Sequence, residues 1–219
     1  NSLIHHYINL VCWRPMIEIY DPARDVVWVD SVSLRKLVRR WRKDAAYRPG
    51  TTVLSQIGPG TSNGGAWYFL TAEPLPNLSP EMQFVLPYFK KITVPKELAQ
   101  AVAALAPETR VGLGISAPKQ NHLAVALHAL RPDLEYHCLG AAVTGFDASC
   151  DFVPTRSPLS GSGLEWLHFL ITSPNRTLGK IMITSREIWS VLLRSQSRAA
   201  FKEFVTLCAP TEEHATAEN

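Results

Sequence analysis

The chain has 219 residues, of which 46% are hydrophobic and 19% charged, so it carries enough apolar material for one packed core and argues against a second full domain. Its net charge of +3 is modest, and the cations concentrate in residues 35–43 and 176–202, which favours a local anionic partner over nucleic acid wrapped along the chain. No apolar run reaches the ~18–20 residues needed to span a bilayer.

Short β-branched or aromatic runs alternate with helical patterns, which predicts an α/β domain on a mostly parallel sheet flanked by helices. The predicted strands are residues 4–11, 26–29, 66–71, 83–86, 109–113 and 136–139. The predicted helices are residues 33–46, 95–106 and 119–130. We therefore expect one α/β domain over residues 1–184, followed by a helical appendage and a disordered tail over residues 185–219.

The cysteines and the first residues bear on the compartment and on metal binding. The four cysteines show no CxxC or Cys/His spacing, so we expect neither a zinc site nor a disulfide framework, and a reducing cytoplasm fits best. The chain starts Asn1-Ser2-Leu3 without a charged leader and a long apolar run, so no secretory signal is expected. The adjacent His5 and His6 are expected to be exposed and not to bind a metal.

Residues 185–207 form one amphipathic helical pattern. Basic residues at positions 186, 194, 198 and 202 face an apolar set consisting of Ile188, Trp189, Leu192, Phe201, Phe204 and Val205. Such a helix can lie in the headgroup layer of an anionic membrane, with its aromatic side chains inserted. The alternative is a helix packed on the protein core, and the pattern alone leaves both open.

The segment from Thr109 to Gln120 indicates a strand, a glycine-bearing turn and a helix start. Gly112 and Gly114 would let phosphates approach backbone N–H groups, and Lys119 would add a cation. The third glycine of a dinucleotide fingerprint is absent, and tight packing explains the glycines equally well.

A second cluster of polar residues follows between positions 145 and 176. Arg156 and Arg176 could bind phosphate oxygens in forked geometry, and Asp147 or Glu165 could hold sugar hydroxyls or orient those arginines. The alternative is that both arginines are ordinary surface residues.

Asp30 closes a predicted strand and places a carboxylate at the carboxyl end of the sheet. There it could remove a proton from an acceptor hydroxyl, or it could cap the helix that follows. The sequence contains no Walker lysine motif, HExxH or Asp-x-Asp pair, which disfavours common nucleotide-hydrolysing and metal-dependent classes.

Together these motifs resemble the WecG/TagA/CpsF glycosyltransferases, also called glycosyltransferase family 26. The stretch from Val111 to Gln120 resembles the family's VGLGxPKQE motif, and the second cluster resembles its GGxFD, RAP, GLEWxxR and PxR segments in the same order. Upstream, Asn9 falls near an Asn of the family, Asp30 lies in a segment similar to an ADG triplet, and Arg48-Pro49-Gly50 resembles an RxxG turn.

The resemblance implies a Rossmann-like fold and an inverting, metal-independent transfer of sugar from a UDP donor to a polyprenyl-diphosphate-linked acceptor. It implies no cofactor, a cytoplasmic location at the inner face of a bacterial cell membrane, contact of the C-terminal appendage with that membrane, and other transferases of surface or exopolysaccharide synthesis as possible partners. Asp30 becomes the catalytic base. The implied substrate-binding residues are Asn9, Arg48, Gly112, Gly114, Lys119, Gln120, Asp147, Arg156, Glu165 and Arg176.

Several positions depart from the family pattern. Ser31 replaces the Gly of the ADG triplet, Thr71-Ala72 replaces a double Gly, and His168 stands where an Arg is expected. The alternative is therefore a catalytically degenerate relative that binds a nucleotide sugar or a partner transferase.

Overall fold

A computed structural model describes residues 3–10, 12–55, 66–75, 78–87, 93–140, 142–143 and 174–210. The chain divides into two compact units. The first comprises residues 1–7, 21–26 and 50–150, and the second comprises residues 8–20, 27–49 and 151–219.

Six strands form one open parallel sheet in the order β2-β1-β6-β5-β3-β4. The strands are β1 (Ile4–Ile8), β2 (Asp25–Val29), β3 (Trp67–Thr71), β4 (Gln83–Val85), β5 (Arg110–Gly114) and β6 (Glu135–Cys138). All six predicted strands and the α/β class are confirmed. The first strand ends at Ile8 and not at residue 11, because the Cys12 N–H donates to the Asn9 carbonyl at 3.2 Å and turns the chain.

The helices are α1 (Arg14–Ile19), α2 (Val32–Val38), α3 (Gly50–Ser55), α4 (Lys96–Ala103), α5 (Lys119–Leu130), α6 (Pro174–Leu193) and α7 (Ser195–Leu207), with a 3-10 turn at Pro80–Met82. The predicted helix over residues 119–130 is confirmed, whereas α1 and α3 were not predicted. The helix predicted to reach residue 46 ends at Val38, because the chain then forms turns, in which the Arg40 N–H donates to the Leu37 carbonyl, before it reaches two β-bridges. Tyr47 forms a parallel bridge with Val29, and Ala45 forms an antiparallel bridge with Pro210.

The hydrophobic core of the first unit lies on one face of the sheet. Alternate strand residues point to this face, where they pack against the buried sides of α4 and α5. The core includes Leu70, Val111, Leu113, Tyr136, Leu98, Leu123 and Leu127. Burying each large apolar side chain contributes about 1.5–3 kcal/mol, so this layer supplies much of the unit's stability.

The second unit is built around Trp13, which directly precedes α1, and the aromatic side chains of α7. The Trp13 ring stands edge-on to Phe201 at 5.1 Å between centroids and lies 5.8 Å from Phe204. Phe201, Phe204 and Val205 are buried, so the apolar face of α7 packs on the protein core. For these three residues the core-packing alternative is confirmed, and the expectation that Phe201 inserts into a membrane is wrong.

The single helix predicted over residues 185–207 is also wrong, because the chain forms two helices there. Arg194 has an extended backbone, with φ −102° and ψ 123°, and breaks the helix. The Arg198 guanidinium donates to the carbonyls of Val191 and Leu192, which supplies partners for carbonyls that the end of α6 leaves open. The boundary predicted between residues 184 and 185 falls inside α6. Among the described residues, no helix is long and apolar enough to cross a membrane.

Candidate functional site

Asn9 and Asp30 follow directly on the carboxyl ends of the neighbouring parallel strands β1 and β2. The Asp30 N–H donates to the Ile8 carbonyl at 2.8 Å, which ties the two strand ends together. Ligands of open α/β sheets bind at this kind of edge. The structure thus brings together two of the predicted site residues, each carrying a polar side chain.

Ser31 caps the helix that follows Asp30. Its Oγ accepts a hydrogen bond from the Leu34 N–H at 3.2 Å, and its extended backbone is typical of an N-cap residue. The alternative role predicted for Asp30 is therefore carried by its neighbour. The Asp30 side chain is half-buried.

Cys12 is a site neighbour that the sequence analysis did not single out. Its Sγ lies 3.4 Å from Asn9 Oδ1 and also donates to the Asn9 carbonyl. Burial raises the pKa of the Cys12 thiol to about 12, and the negative charge of Asp30 adds to the effect. The thiol is thus protonated at neutral pH and positions the Asn9 amide. Burial and a protonated thiol both disfavour a nucleophilic role for Cys12.

Arg48 is placed beside β2 by its backbone. Its N–H donates to the Val29 carbonyl at 3.1 Å, and its guanidinium carbon lies 5.1 Å from the centroid of the Trp28 ring. The observed side-chain contact is therefore a cation–π interaction. Binding of substrate by Arg48 stays a prediction.

The two glycines of β5 have packing reasons. A Cβ on Gly112 would lie 2.7 Å from the Phe69 ring, and a Cβ on Gly114 would lie 3.0 Å from the Val143 side chain. The packing alternative accounts for both glycines, so they no longer argue for a phosphate by themselves.

Lys119 and Gln120 begin α5, directly after the turn that follows β5. The Gln120 side chain is 3% exposed, and its Nε2 donates to the Cys138 carbonyl at 3.2 Å, at the end of β6. Its Oε1 is buried and accepts no hydrogen bond within the part of the chain that the structure describes. Gln120 therefore positions the end of β6, and its Oε1 can accept a hydrogen bond from a ligand.

Four further predicted residues cannot be located by their side chains. Asp147, Arg156 and Glu165 lie outside the described residues, and the Arg176 backbone belongs to the first turn of α6 while its side chain is outside the description.

An open groove of about 690 Å³ lies where α1, α6 and α7 meet. Arg14 pairs with Glu187 at 3.0 Å, and the Trp189 side chain, 60% exposed, lies beside it. The lining includes Arg14, Arg186, Trp189, Leu193, Arg194 and Ser197. The amphipathic pattern of the sequence indicated that residues of α6 form a basic and apolar surface. Arg14 lines the same groove only because of how α1 packs, and no local sequence pattern indicates this.

His5, Glu135 and His137 form a polar cluster that was not predicted. The expectation that His5 and His6 are exposed is wrong, because His6 is fully buried and the His5 side chain is only 13% exposed. His5 and His137 each approach Glu135 at 3.0 Å. The polar interactions with His137 and His5 hold the pKa of Glu135 well below its usual range, and burial lowers the pKa of His137 to about 4.

Comparisons with protein-family models, curated proteins and solved structures found no match to this chain. The likeness to glycosyltransferases therefore rests on the motifs within the sequence.

Proposed function

We propose that the chain is an inverting glycosyltransferase that moves a sugar from a UDP donor to a polyprenyl-diphosphate-linked acceptor in bacterial surface or exopolysaccharide synthesis. The Asp30 carboxylate takes the proton of the acceptor hydroxyl while that oxygen bonds to the anomeric carbon and UDP departs. The observation that carries the proposal is the placement of Asp30 beside Asn9 at the end of β2, with Ser31 performing the helix-capping role.

The donor is assigned to the start of α5. Lys119 offers a cation in the first turn, where the partial positive charge of the helix also favours an anion. The buried Gln120 Oε1 can accept a hydrogen bond from a ligand donor at the same helix end. We assign the diphosphate to Lys119 and leave the two β5 glycines with their packing role.

The membrane surface is assigned to the groove on α6. Arg14, Arg186 and Arg194 face one acidic side chain, Glu187, so the groove is basic. Trp189 and Leu193 are exposed beside these cations, an arrangement that suits anionic headgroups and the first methylenes of lipid chains. This surface would hold the enzyme at the inner face of the cell membrane, next to a lipid-linked acceptor.

The transfer reaction is tested by UDP release from a panel of UDP-sugars with a short-chain polyprenyl-diphosphate acceptor, in the presence of a metal chelator. The wild type should release UDP only with acceptor, and Asp30→Asn should lower the rate about 10²–10⁴-fold. The matched control is Ser31→Ala, which loses the cap at a cost of about 1 kcal/mol of stability but should retain turnover. Equal losses in both variants would mean that the turn, and not the carboxylate, matters.

Membrane contact is tested by co-sedimentation with vesicles of anionic phospholipid. The double variant Trp189→Ser with Leu193→Ser should pellet much less than the wild type. Leu130→Ser removes a 54% exposed leucine from α5 and is the matched control. Equal pelleting of all three proteins would contradict the assignment of the groove to the membrane.

The second candidate is a degenerate relative that binds a nucleotide sugar without turnover. The observation that favours it is the packing role of Gly112 and Gly114, which removes one reason to place a donor there. Saturable binding of a UDP-sugar with no UDP release across the acceptor panel would establish this candidate in place of the first.

A further inference from the structure

His5, Glu135 and His137 meet on one face of the sheet. Strands β1 and β6 pair in parallel with His5 opposite His137, and Glu135 lies two residues before His137, so all three side chains share a face. The Nε2 atoms of His5 and His137 each lie 3.0 Å from Glu135 Oε1. The three possible ligand atoms lie within 4.8 Å of one another.

The donor set suits a divalent transition metal. Two imidazole nitrogens and one carboxylate oxygen occur together around Zn²⁺ and related ions, which bind them at about 2.0–2.2 Å. In a tetrahedral site such bonds place neighbouring ligand atoms roughly 3.3 Å apart. The observed 3.0 Å contacts therefore need to open by only a few tenths of an ångström.

Neighbouring groups orient two of the three ligands. The Tyr7 hydroxyl lies 3.1 Å from His137 Nδ1, and Arg110 Nε donates to Glu135 Oε2 at 3.2 Å. These contacts involve His137 Nδ1 and Glu135 Oε2, which are not the proposed ligand atoms. His137 Nε2 and Glu135 Oε1 therefore remain close to each other. Outer partners of this kind hold metal ligands in many proteins.

An independent observation concerns His137 Nε2. This atom is buried and makes no aligned hydrogen bond among the described residues, although Glu135 Oε1 is 3.0 Å away. When Nδ1–H donates to the Tyr7 oxygen, Nε2 presents a lone pair to a carboxylate oxygen. In that tautomer a cation between the two atoms would be bound by both, whereas in the other tautomer Nε2–H faces the carboxylate and loses its proton when a metal binds.

We propose that His5, Glu135 and His137 bind one divalent transition-metal ion, for which Zn²⁺ is the best-fitting candidate. The ion would fasten β1 to β6 near the amino-terminal ends of both strands. Because ligands and substrates of open α/β sheets bind at the carboxyl ends, the ion has a structural role and takes no part in the transfer reaction.

Binding requires one ring to tilt. The His5 and His137 rings are stacked, with centroids 4.7 Å apart and planes 11° from parallel, so their in-plane lone pairs do not converge on one point. His137 is held by Tyr7 and by the Trp67 ring, 4.9 Å away, so we place the tilt at His5.

Zn²⁺ titration of the tag-free protein by calorimetry tests the site. We expect one ion per chain in the wild type, a higher melting temperature with Zn²⁺, and loss of stoichiometric binding in Glu135→Gln and His137→Gln. Glu97→Gln and His122→Gln, which change residues of α4 and α5 outside the cluster, should bind like the wild type. Circular dichroism checks that each variant is folded.

Two further variants locate the ion. Tyr7→Phe keeps all three ligands and should weaken Zn²⁺ binding about tenfold or more by releasing the His137 ring. Cu²⁺ should quench tryptophan fluorescence in the wild type, and Trp67→Phe should lose most of that quenching while still binding Zn²⁺. Absence of a stoichiometric Zn²⁺ site, or unchanged affinity in a folded Glu135→Gln, would overturn the proposal. The transferase assay contains a chelator, so its outcome does not depend on this site.

Discussion

The two faces of the sheet in the first compact unit are made from alternate residues of the same strands, yet they are stabilised in different ways. One face presents Leu70, Val111, Leu113 and Tyr136 to the helices. The other carries a polar and aromatic network formed by Tyr7, Trp67, Arg110, Glu135 and His137. The stabilisation from burying apolar side chains grows with the buried area and does not depend on the direction of the contacts. Each member of the polar network, in contrast, depends on particular hydrogen-bond partners.

The largest contrast should come from truncating two residues of β5 whose side chains lie on opposite faces of the sheet. Leu113→Ala should lower the free energy of unfolding by about 3 kcal/mol, because it leaves a cavity in place of a fully buried side chain. Arg110→Ala, on the other face, should cost less than about 1 kcal/mol, since its pair with Glu135 is partly exposed. Urea unfolding of both variants measures the difference. Equal losses would mean that the two faces do not differ in the proposed way.

Acid should lower the stability of the fold through the buried carboxylate of Asp25, which contacts His6. Asp25 lies 3.3 Å from His6 and accepts two hydrogen bonds from Arg24, both at 2.8 Å. Burial alone would raise the pKa of Asp25, but the hydrogen bonds from Arg24 and His6 prevail and lower it from 3.8 to about 2.

Because the pKa of Asp25 is depressed in the folded state, its contribution is complete above pH 3.8 and is lost as the pH falls towards 2. About 2 kcal/mol of stability should disappear over that interval. Thermal melts of wild type and Asp25→Asn between pH 5 and pH 2 check the sign. The variant, although less stable at neutral pH, should show the shallower decline, and parallel curves would contradict the assignment.

Adding a methyl group to the polar face should lower the free energy of unfolding, because the space there is already filled. Gly112→Ala should destabilise the fold by about 1–3 kcal/mol, because its Cβ would meet the Phe69 ring. Gly179→Ala is the control: it lies in α6 with nothing within 4 Å of its Cβ and should be about 0.5–1 kcal/mol more stable. A folded Gly112→Ala with wild-type stability and no UDP-sugar binding would restore Gly112 as a donor-site residue.

The smallest contrast compares two hydroxyl deletions. Tyr136→Phe removes a donor to the carbonyls of Leu127 and Arg131 and should cost about 1–1.5 kcal/mol. Tyr7→Phe removes the hydroxyl contact with His137 and should cost about 0.5–1 kcal/mol without metal. A larger loss in metal-free Tyr7→Phe than in Tyr136→Phe would reverse the expected order.

The predicted motifs differ in how far the sequence could place them. The pattern around Asp30 gave its position at the end of a strand, and only the fold revealed that Ser31 is the cap and that Asn9 lies on the adjacent strand end. The glycines of β5 were ambiguous, because phosphate approach and close packing demand the same small residue. The neighbours Phe69 and Val143 favour packing.

The sequence by itself determined the strands and the helix Lys119–Leu130, because hydrophobic periodicity is a local property of the chain. Only the tertiary structure decided what each amphipathic face meets. Phe201 of α7 is buried against Trp13, whereas Trp189 of α6 is exposed, although both stand in the same basic and apolar pattern. Likewise, His5 meets Glu135 and His137 because β1 pairs with β6, a contact between distant parts of the chain that no local pattern encodes.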